Sequence, residues 1–281
     1  MQLNRFFLPG IVCLACLSPL ARAAANPPVN PTMSTISSET YQVIEFRRYT
    51  IKPGKRAEFA TYFEAYFPEA FQQLGALALG QGLERDHENG FTWLRGFHTM
   101  DARAVANSAF YYGPVWKEHR NTLNALIDDS DNVYLMRPLH EGTGIEVLPA
   151  VDPVQEPQGA QGVWVAQLFA PKPGVVDEFA SLAEAAFARY RAAGIHQAGV
   201  LVTLDANNNF PQLPVRTDGP YLLWLGVARD AAMADAWRAM ARTEDRHLQE
   251  GSHLARATEE IVITPARRSR LRWRNEVPPA E

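Results

Sequence analysis

Apolar and polar positions fall into a scheme that the chain runs through twice. Residues 41–51 form an apolar run rich in β-branched and aromatic side chains, which reads as a strand. Lys52-Pro53-Gly54 follows, with Pro53 fixing φ and Gly54 free to take the positive φ of a type II turn. Phe59, Tyr62, Phe63, Tyr66, Phe67, Ala70, Phe71 and Leu74 then recur at three- and four-residue spacing. That spacing lines one face of a helix, and Gly75 supplies its stop. Pro68 interrupts the stripe, where a proline costs about 3 kcal/mol or bends the helix.

Residues 76–84 and 91–98 read as a strand pair around the polar turn Asp86-His87-Glu88-Asn89-Gly90. A second helix is predicted over 114–127 and a closing strand over 132–138. The scheme then returns. Lys172-Pro173-Gly174 repeats the turn, and Glu178-Phe179-Ala180 repeats Glu58-Phe59-Ala60 in the same register. The stripe now reads Phe179, Leu182, Ala183, Ala186, Phe187 and Tyr190, ends at Gly194, and carries Ala188 where the first copy has Pro68. Strands over 198–204 and 221–228 flank a much longer loop, 205–220. A helix over 231–249 and a strand over 260–265 complete the copy.

Each copy has the order β-α-β-β-α-β, the ferredoxin-like unit, so the fold class is α+β. Helices cover one face of such a sheet and leave the other bare. The strands here are apolar on both faces, so the bare face must be buried. The duplicate is the obvious partner: two antiparallel sheets from tandem repeats pack as an intramolecular, dimeric-type α/β barrel. The organisation expected is a first repeat at 41–147, a linker at 148–160, a second repeat at 161–265 and a basic tail at 266–281. That tail carries Arg267, Arg268, Arg270, Arg272 and Arg274 and reads as exposed and solvated.

The N-terminus adds a location. Arg5, an apolar run over 6–20 and Ala21-Arg22-Ala23-Ala24-Ala25 describe a secretory signal peptide over 1–25, implying a periplasmic or secreted protein. The run is too short, and too broken by Pro9-Gly10 and Pro19, for a stable membrane span. Both cysteines, Cys13 and Cys16, lie within it, so cleavage leaves no thiol; lipidation at Cys16 and a start at Met33 are the alternatives. Residues 26–40 read as a flexible linker. A net charge of -4 over 281 residues gives no case for nucleic-acid binding. The oligomeric state stays open between monomer and homodimer.

Three segments carry a resemblance. Val43-Ile44-Glu45-Phe46-Arg47-Arg48-Tyr49-Thr50-Ile51-Lys52-Pro53-Gly54 is similar to the opening of a NIPSNAP-like domain, within the dimeric α/β-barrel superfamily. Tyr112-Gly113-Pro114-Val115-Trp116-Lys117-Glu118-His119 resembles the start of its second helix, and Asn132-Val133-Tyr134-Leu135-Met136-Arg137-Pro138-Leu139 its closing strand. The resemblance covers 41–147 and is weaker over 162–266. It implies the fold and no settled activity; wider relatives by fold include cofactor-free monooxygenases, dye-type peroxidases and haem-degrading enzymes.

The two copies differ where chemistry could sit. Alternation puts Val43, Glu45, Arg47 and Tyr49 on one face of the first strand, and Val163, Val165, Gln167 and Phe169 on the matching face of the second copy. If that face looks into the barrel, the first repeat supplies the polar side of an otherwise apolar pocket. A purely structural Glu45–Arg47 ion pair is the competing reading. Ligand-binding candidates are Glu45, Arg47, Tyr49, Trp93, His98, Tyr112, Trp116 and His119, with Glu45, His98 and His119 the groups available for acid–base work. No histidine falls in a metal-binding pattern, and neither E-x-x-H motif (Glu84 to His87, Glu244 to His247) faces its copy on a second helix. No cofactor is expected; haem on His119 or His253 is the alternative. The expectation is a protein holding a small apolar or aromatic molecule in the barrel, with a cofactor-free monooxygenase or haem-dependent oxidoreductase as the alternative.

Overall fold

The computed structural model describes residues 41–274. The signal peptide, the 26–40 linker, Cys13, Cys16 and Met33 lie outside the described residues, as does the chain beyond Arg274. The first copy supplies β1 (Val43–Ile51), β2 (Leu77–Glu84), β3 (Gly90–Phe97) and β4 (Ile127–Pro138). The second supplies β5 (Val163–Phe169), β6 (His196–Thr203), β7 (Leu222–Ala228) and β8 (Glu259–Pro265). They close into one barrel in the order β1-β3-β2-β8-β5-β7-β6-β4. Every described pairing is antiparallel, and two seams join the copies, β2 with β8 and β4 with β6. The tandem ferredoxin-like barrel expected from the sequence is the observed architecture.

Both turns form as read, with Lys55 N donating to Lys52 O at 2.9 Å and positive φ at Gly54 and Gly174. Helix α1 (Arg56–Tyr66) gives way at Phe67 to α2 (Pro68–Gln73), so Pro68 does split the first stripe. One element was not anticipated. The sequence reading has a single helix before β4, whereas the fold has α3 (Met100–Tyr111) and α4 (Pro114–Leu126). The face α3 buries carries Arg103 and Asn107 beside Ala106 and Phe110, and those polar residues mask its period. In the second copy, α5 (Val176–Ala192) is unbroken, and α6 (Ala231–Glu250) runs continuously where the first copy breaks at Tyr112-Gly113.

Three apolar clusters fill the molecule. Inside the barrel lie Ile44, Phe46, Leu94, Trp164, Leu223 and Ile263 with their neighbours. Outside it, one layer packs β1 and β3 against α1–α4 and a second packs β5 and β7 against α5 and α6. This corrects the expected orientation of β1. Ile44 and Phe46 point into the barrel, while Val43, Glu45, Arg47 and Tyr49 face outward, under the helices of the first copy. Alternation separates the two faces of a strand without saying which one a closing sheet turns inward. The barrel interior is packed with Trp164, Phe46 and Tyr134.

The tail also departs from expectation. Residues 266–274, the described part of that tail, fold back along the barrel, although Arg267, Arg268 and Arg274 stay exposed. Leu271 N donates to Leu79 O at 3.0 Å, Trp164 Nε1 donates to Leu271 O at 2.8 Å, and the Leu271 side chain joins the barrel core. Arg272 grips Glu156 through two hydrogen bonds of 2.6 and 2.8 Å, and Arg270 donates to Leu148 O at 3.0 Å. The charge pattern suggested solvent, but these guanidiniums find carboxylate and carbonyl partners in the 148–160 linker.

Candidate functional site

The outward face of β1 builds a charged floor. In the β1–β3 ladder Glu45 stands opposite Arg95 and Arg47 opposite Trp93. Glu45 Oε2 accepts from Arg47 Nη1 at 2.8 Å and from Arg95 Nη2 at 2.6 Å, and its Oε1 accepts from Arg103 Nε at 2.7 Å. All four side chains are essentially inaccessible to solvent. Burial alone would raise the Glu45 pKa, but the guanidiniums of Arg95, Arg47 and Arg103 outweigh it and hold the carboxyl well below the usual range. Glu45 is thus a fixed anion, and no general base at neutral pH.

Arg47 continues the network. Its Nε donates to Tyr49 Oη at 2.9 Å, and its guanidinium lies 5.4 Å from the Tyr49 ring centroid and 5.3 Å from that of Trp93. Burial lowers the Arg47 pKa, but Tyr49 and Glu45 more than reverse that, so it stays protonated. Burial pushes the Tyr49 phenol up, so it stays neutral. Arg95 lies within 5.1 to 5.9 Å of the ring centroids of Phe71, Trp93, Phe97 and Tyr111. Such cation–π contacts compensate part of its lost hydration.

Above this floor is a cavity of about 150 Å³. Arg47, Tyr49 and Trp93 line its sheet side; Phe63, Phe67, Phe71, Phe110, Tyr111, Trp116 and Leu123 form its helical walls. Asn124, Ser130 and Asp131 stand at an edge that includes the exposed Asp131. Its cover comes from the other copy: Gln212, Leu213 and Pro214, in the long loop between β6 and β7, complete the lining. That loop is tied down by Asn208 and Asn209, whose side-chain oxygens accept from Arg103 Nη1 at 3.0 and 2.8 Å. Phe210 packs on Tyr111 with centroids 5.7 Å apart. Arg103 therefore couples the buried carboxylate to the loop that roofs the cavity.

Of the eight residues singled out from the sequence, Arg47, Tyr49, Trp93 and Trp116 line the cavity, and Glu45 lies behind Arg47. Three do not join them. His98 is exposed and stacks on Tyr41 at 4.6 Å. His119 lies behind the helical wall, its Nδ1 2.7 Å from Tyr62 Oη and its ring stacked 3.9 Å from Tyr66. Tyr112 is exposed and accepts from Gln212 Nε2 at 3.0 Å. His253 belongs to the second copy, 3.3 Å from Glu178. Sequence reasoning missed Arg95, Arg103 and the roofing loop. Arg95 had a signal, a charge midway between Trp93 and Phe97 on an apolar strand; Arg103 had none without α3.

The equivalent place in the second copy is plain core. Val165 pairs with Gly226 where Glu45 pairs with Arg95, and Gln167 pairs with Trp224 where Arg47 pairs with Trp93. Ala234 stands as far beyond the N-cap Asp230 as Arg103 stands beyond the N-cap Thr99. Tyr190 and Trp237 pack on Trp224 at centroid distances of 4.9 and 6.1 Å, and Tyr190 Oη donates to Gln167 Oε1 at 3.0 Å.

Comparison with known proteins matches this division. Residues 44–139 fit the NIPSNAP family model. No functionally curated protein matches the sequence. A candidate monooxygenase from Lactobacillus acidophilus superposes with a TM-score of 0.50 at 13% identity, covering 82% of this chain and 98% of its own. One from Fusobacterium nucleatum gives 0.51 at 12% identity, covering 81% and 93%. A NIPSNAP family protein from Agrobacterium tumefaciens covers 36% of this chain and 96% of its own, at 18% identity and a TM-score of 0.33. At these identities the likeness is one of fold. The first copy thus resembles a NIPSNAP domain over residues 44–139, and with its diverged partner it forms a dimeric-type α/β barrel within one chain.

Proposed function

We propose that the protein binds a small aromatic molecule in the cavity between the outer wall of the barrel and the helices of its NIPSNAP-like first copy. The observation that carries this reading is the cavity itself: about 150 Å³, walled by aromatic rings and floored by Arg47 and Tyr49. A cavity of that size admits a single ring, and a mostly apolar chamber with a few polar groups is the usual form of a ligand site. Binding rather than turnover is favoured because Glu45 is locked as a carboxylate and neither His98 nor His119 reaches the chamber. The reading uses no cofactor; a chamber of about 150 Å³ holds a single ring and is too small for a haem macrocycle. Export through the signal peptide read over 1–25 would place this binding in the periplasm or outside the cell.

Thermal-shift and calorimetric titration with single-ring aromatics tests the reading. A ligand should raise the melting temperature, and Leu123→Phe, which extends a ring into the chamber, should weaken binding while the protein stays folded. Unchanged affinity in that variant would place the ligand elsewhere. A second reading, cofactor-free oxygenation, is favoured by one feature: Arg47 is placed to hold a substrate as its oxyanion. Oxygen consumption on adding a hydroquinone is its readout, and a flat oxygen trace leaves the binder.

A further inference from the structure

We propose that the cavity takes its ligand as an anion: a planar, single-ring aromatic acid whose charged oxygen sits on Arg47 and Tyr49. This rests on the reading of the chamber as an aromatic site and specifies what the ring must carry.

The argument begins with charge. Three guanidiniums, those of Arg47, Arg95 and Arg103, surround one carboxylate, and all four groups are buried. Both oxygens of Glu45 are already engaged. Uncompensated buried charge is expensive, and a counter-ion in a low-dielectric site recovers much of that cost. Rings around Arg95 and the amides of Asn208 and Asn209 beside Arg103 offset part of it without supplying negative charge.

The hydrogen-bond inventory of the floor points the same way. Arg47 Nε and Nη1 are taken by Tyr49 and Glu45, which leaves Nη2 without an acceptor among the described residues. The Tyr49 oxygen accepts from Arg47, so its own O–H is free to donate. Deeper in the network, Arg95 Nη1 and Arg103 Nη2 also have no hydrogen-bond partner. The floor therefore offers donors and a positive field. A hydrocarbon would leave those donors unpaired, while an oxyanion takes charge-assisted bonds from both Arg47 and Tyr49. Asp131, the one carboxylate among the lining residues, is exposed.

The second copy separates site from scaffold. It builds the matching strands and turn under two continuous helices, α5 and α6, with Val165, Gln167, Gly226 and Ala234 in place of Glu45, Arg47, Arg95 and Arg103. All four ionised groups are missing together, and Tyr190 and Trp237 pack on the strand tryptophan there. The fold does not need the cluster. The cluster accompanies the cavity.

Isothermal titration of the tandem chain with benzoate, 4-nitrophenolate, benzamide and acetate decides the matter. Benzoate or 4-nitrophenolate should bind at least about tenfold more tightly than the neutral isostere benzamide; whichever is tighter distinguishes a carboxylate from a phenolate ligand. Arg47→Met should bring the anion down to the benzamide level and leave benzamide unchanged, and Arg47→Lys should retain part of the preference. Equal affinity for benzoate and benzamide would overturn the anion proposal while sparing the aromatic site. Acetate binding as tightly as benzoate would remove the role of the ring, and no binding by any of the four would overturn both readings. If Arg47→Met fails to fold by circular dichroism, the wild-type comparison of benzoate with benzamide decides alone.

Discussion

Glu45 and Arg95 stand directly opposite each other in the β1–β3 ladder, and Arg95 Nη2 reaches Glu45 Oε2 at 2.6 Å on the outer wall of the barrel. Opposed charges at such a position stabilise a strand pair. Here the pair is also the centre of a cluster whose surplus is positive. Glu45→Gln would leave three buried guanidiniums with no counter-charge, and a loss of about 3–5 kcal/mol is expected. Urea unfolding measures it; a loss under about 1 kcal/mol would mean that solvent or an ion already neutralises the site.

The same residue sets an acid limb. Its folded pKa is depressed, because Arg95, Arg47 and Arg103 outweigh burial. Its contribution is therefore fully present above the unfolded value of about 4.3 and drains away as pH falls toward the lower folded value. Stability should fall with acid below about pH 5, more steeply in the wild type than in Glu45→Gln. Parallel curves for the two proteins would show that Glu45 does not titrate differently on unfolding.

Arg103 links the carboxylate to the roof through Asn208 and Asn209. Arg103→Ala should release the 205–214 segment, seen as faster amide exchange there with the barrel strands unaffected. Ligand dissociation should quicken as well. Unchanged protection of the loop would mean that Phe210 and the backbone bond from Arg216 N to Val133 O suffice to hold it.

Tyr190→Ala tests the contrast between the copies. Removing a buried ring should cost about 3–5 kcal/mol and open space over Trp224 where no guanidinium replaces it. A neutral aromatic such as toluene should bind that space better than benzoate does, the reverse of the order expected at the natural site. Equal preference at both places would detach ligand charge from the arginine cluster.

Leu271→Ala should destabilise the protein by about 2–5 kcal/mol, because the side chain joins the barrel interior. It should leave aromatic binding untouched, since the cavity lies beyond the opposite face of the wall. A change in affinity without a change in stability would contradict this separation.

The duplicated turn, the helical stripes, the kink at Pro68 and the closed tandem barrel were legible in the sequence because each follows from local periodicity and from the need to bury a bare sheet. So was the asymmetry between Glu45 and Arg47 on one side and Val165 and Gln167 on the other. Of the cavity residues named from the sequence, Arg47 and Tyr49 came from the alternation along β1, and Trp93 and Trp116 from their aromatic character alone. The docked tail was not, because a run of arginines reads as solvated until its acceptors at Leu148, Pro149 and Glu156 are brought beside it. His98 and His119 looked equally eligible by residue type, and only packing put them outside the chamber.

The sequence by itself determined the repeated unit, its strand order and the copy that keeps ionisable groups, since these depend on spacing along one chain. Tertiary structure decided which face of β1 turns outward, that Arg95 and Arg103 converge on Glu45, and that a loop of the second copy roofs the cavity of the first. Pairing of β1 with β3 and packing of α3 bring Arg95 and Arg103 to Glu45 across separations of 50 and 58 positions, while only closure of the barrel brings the roofing loop, about 170 positions from Arg47, over the cavity.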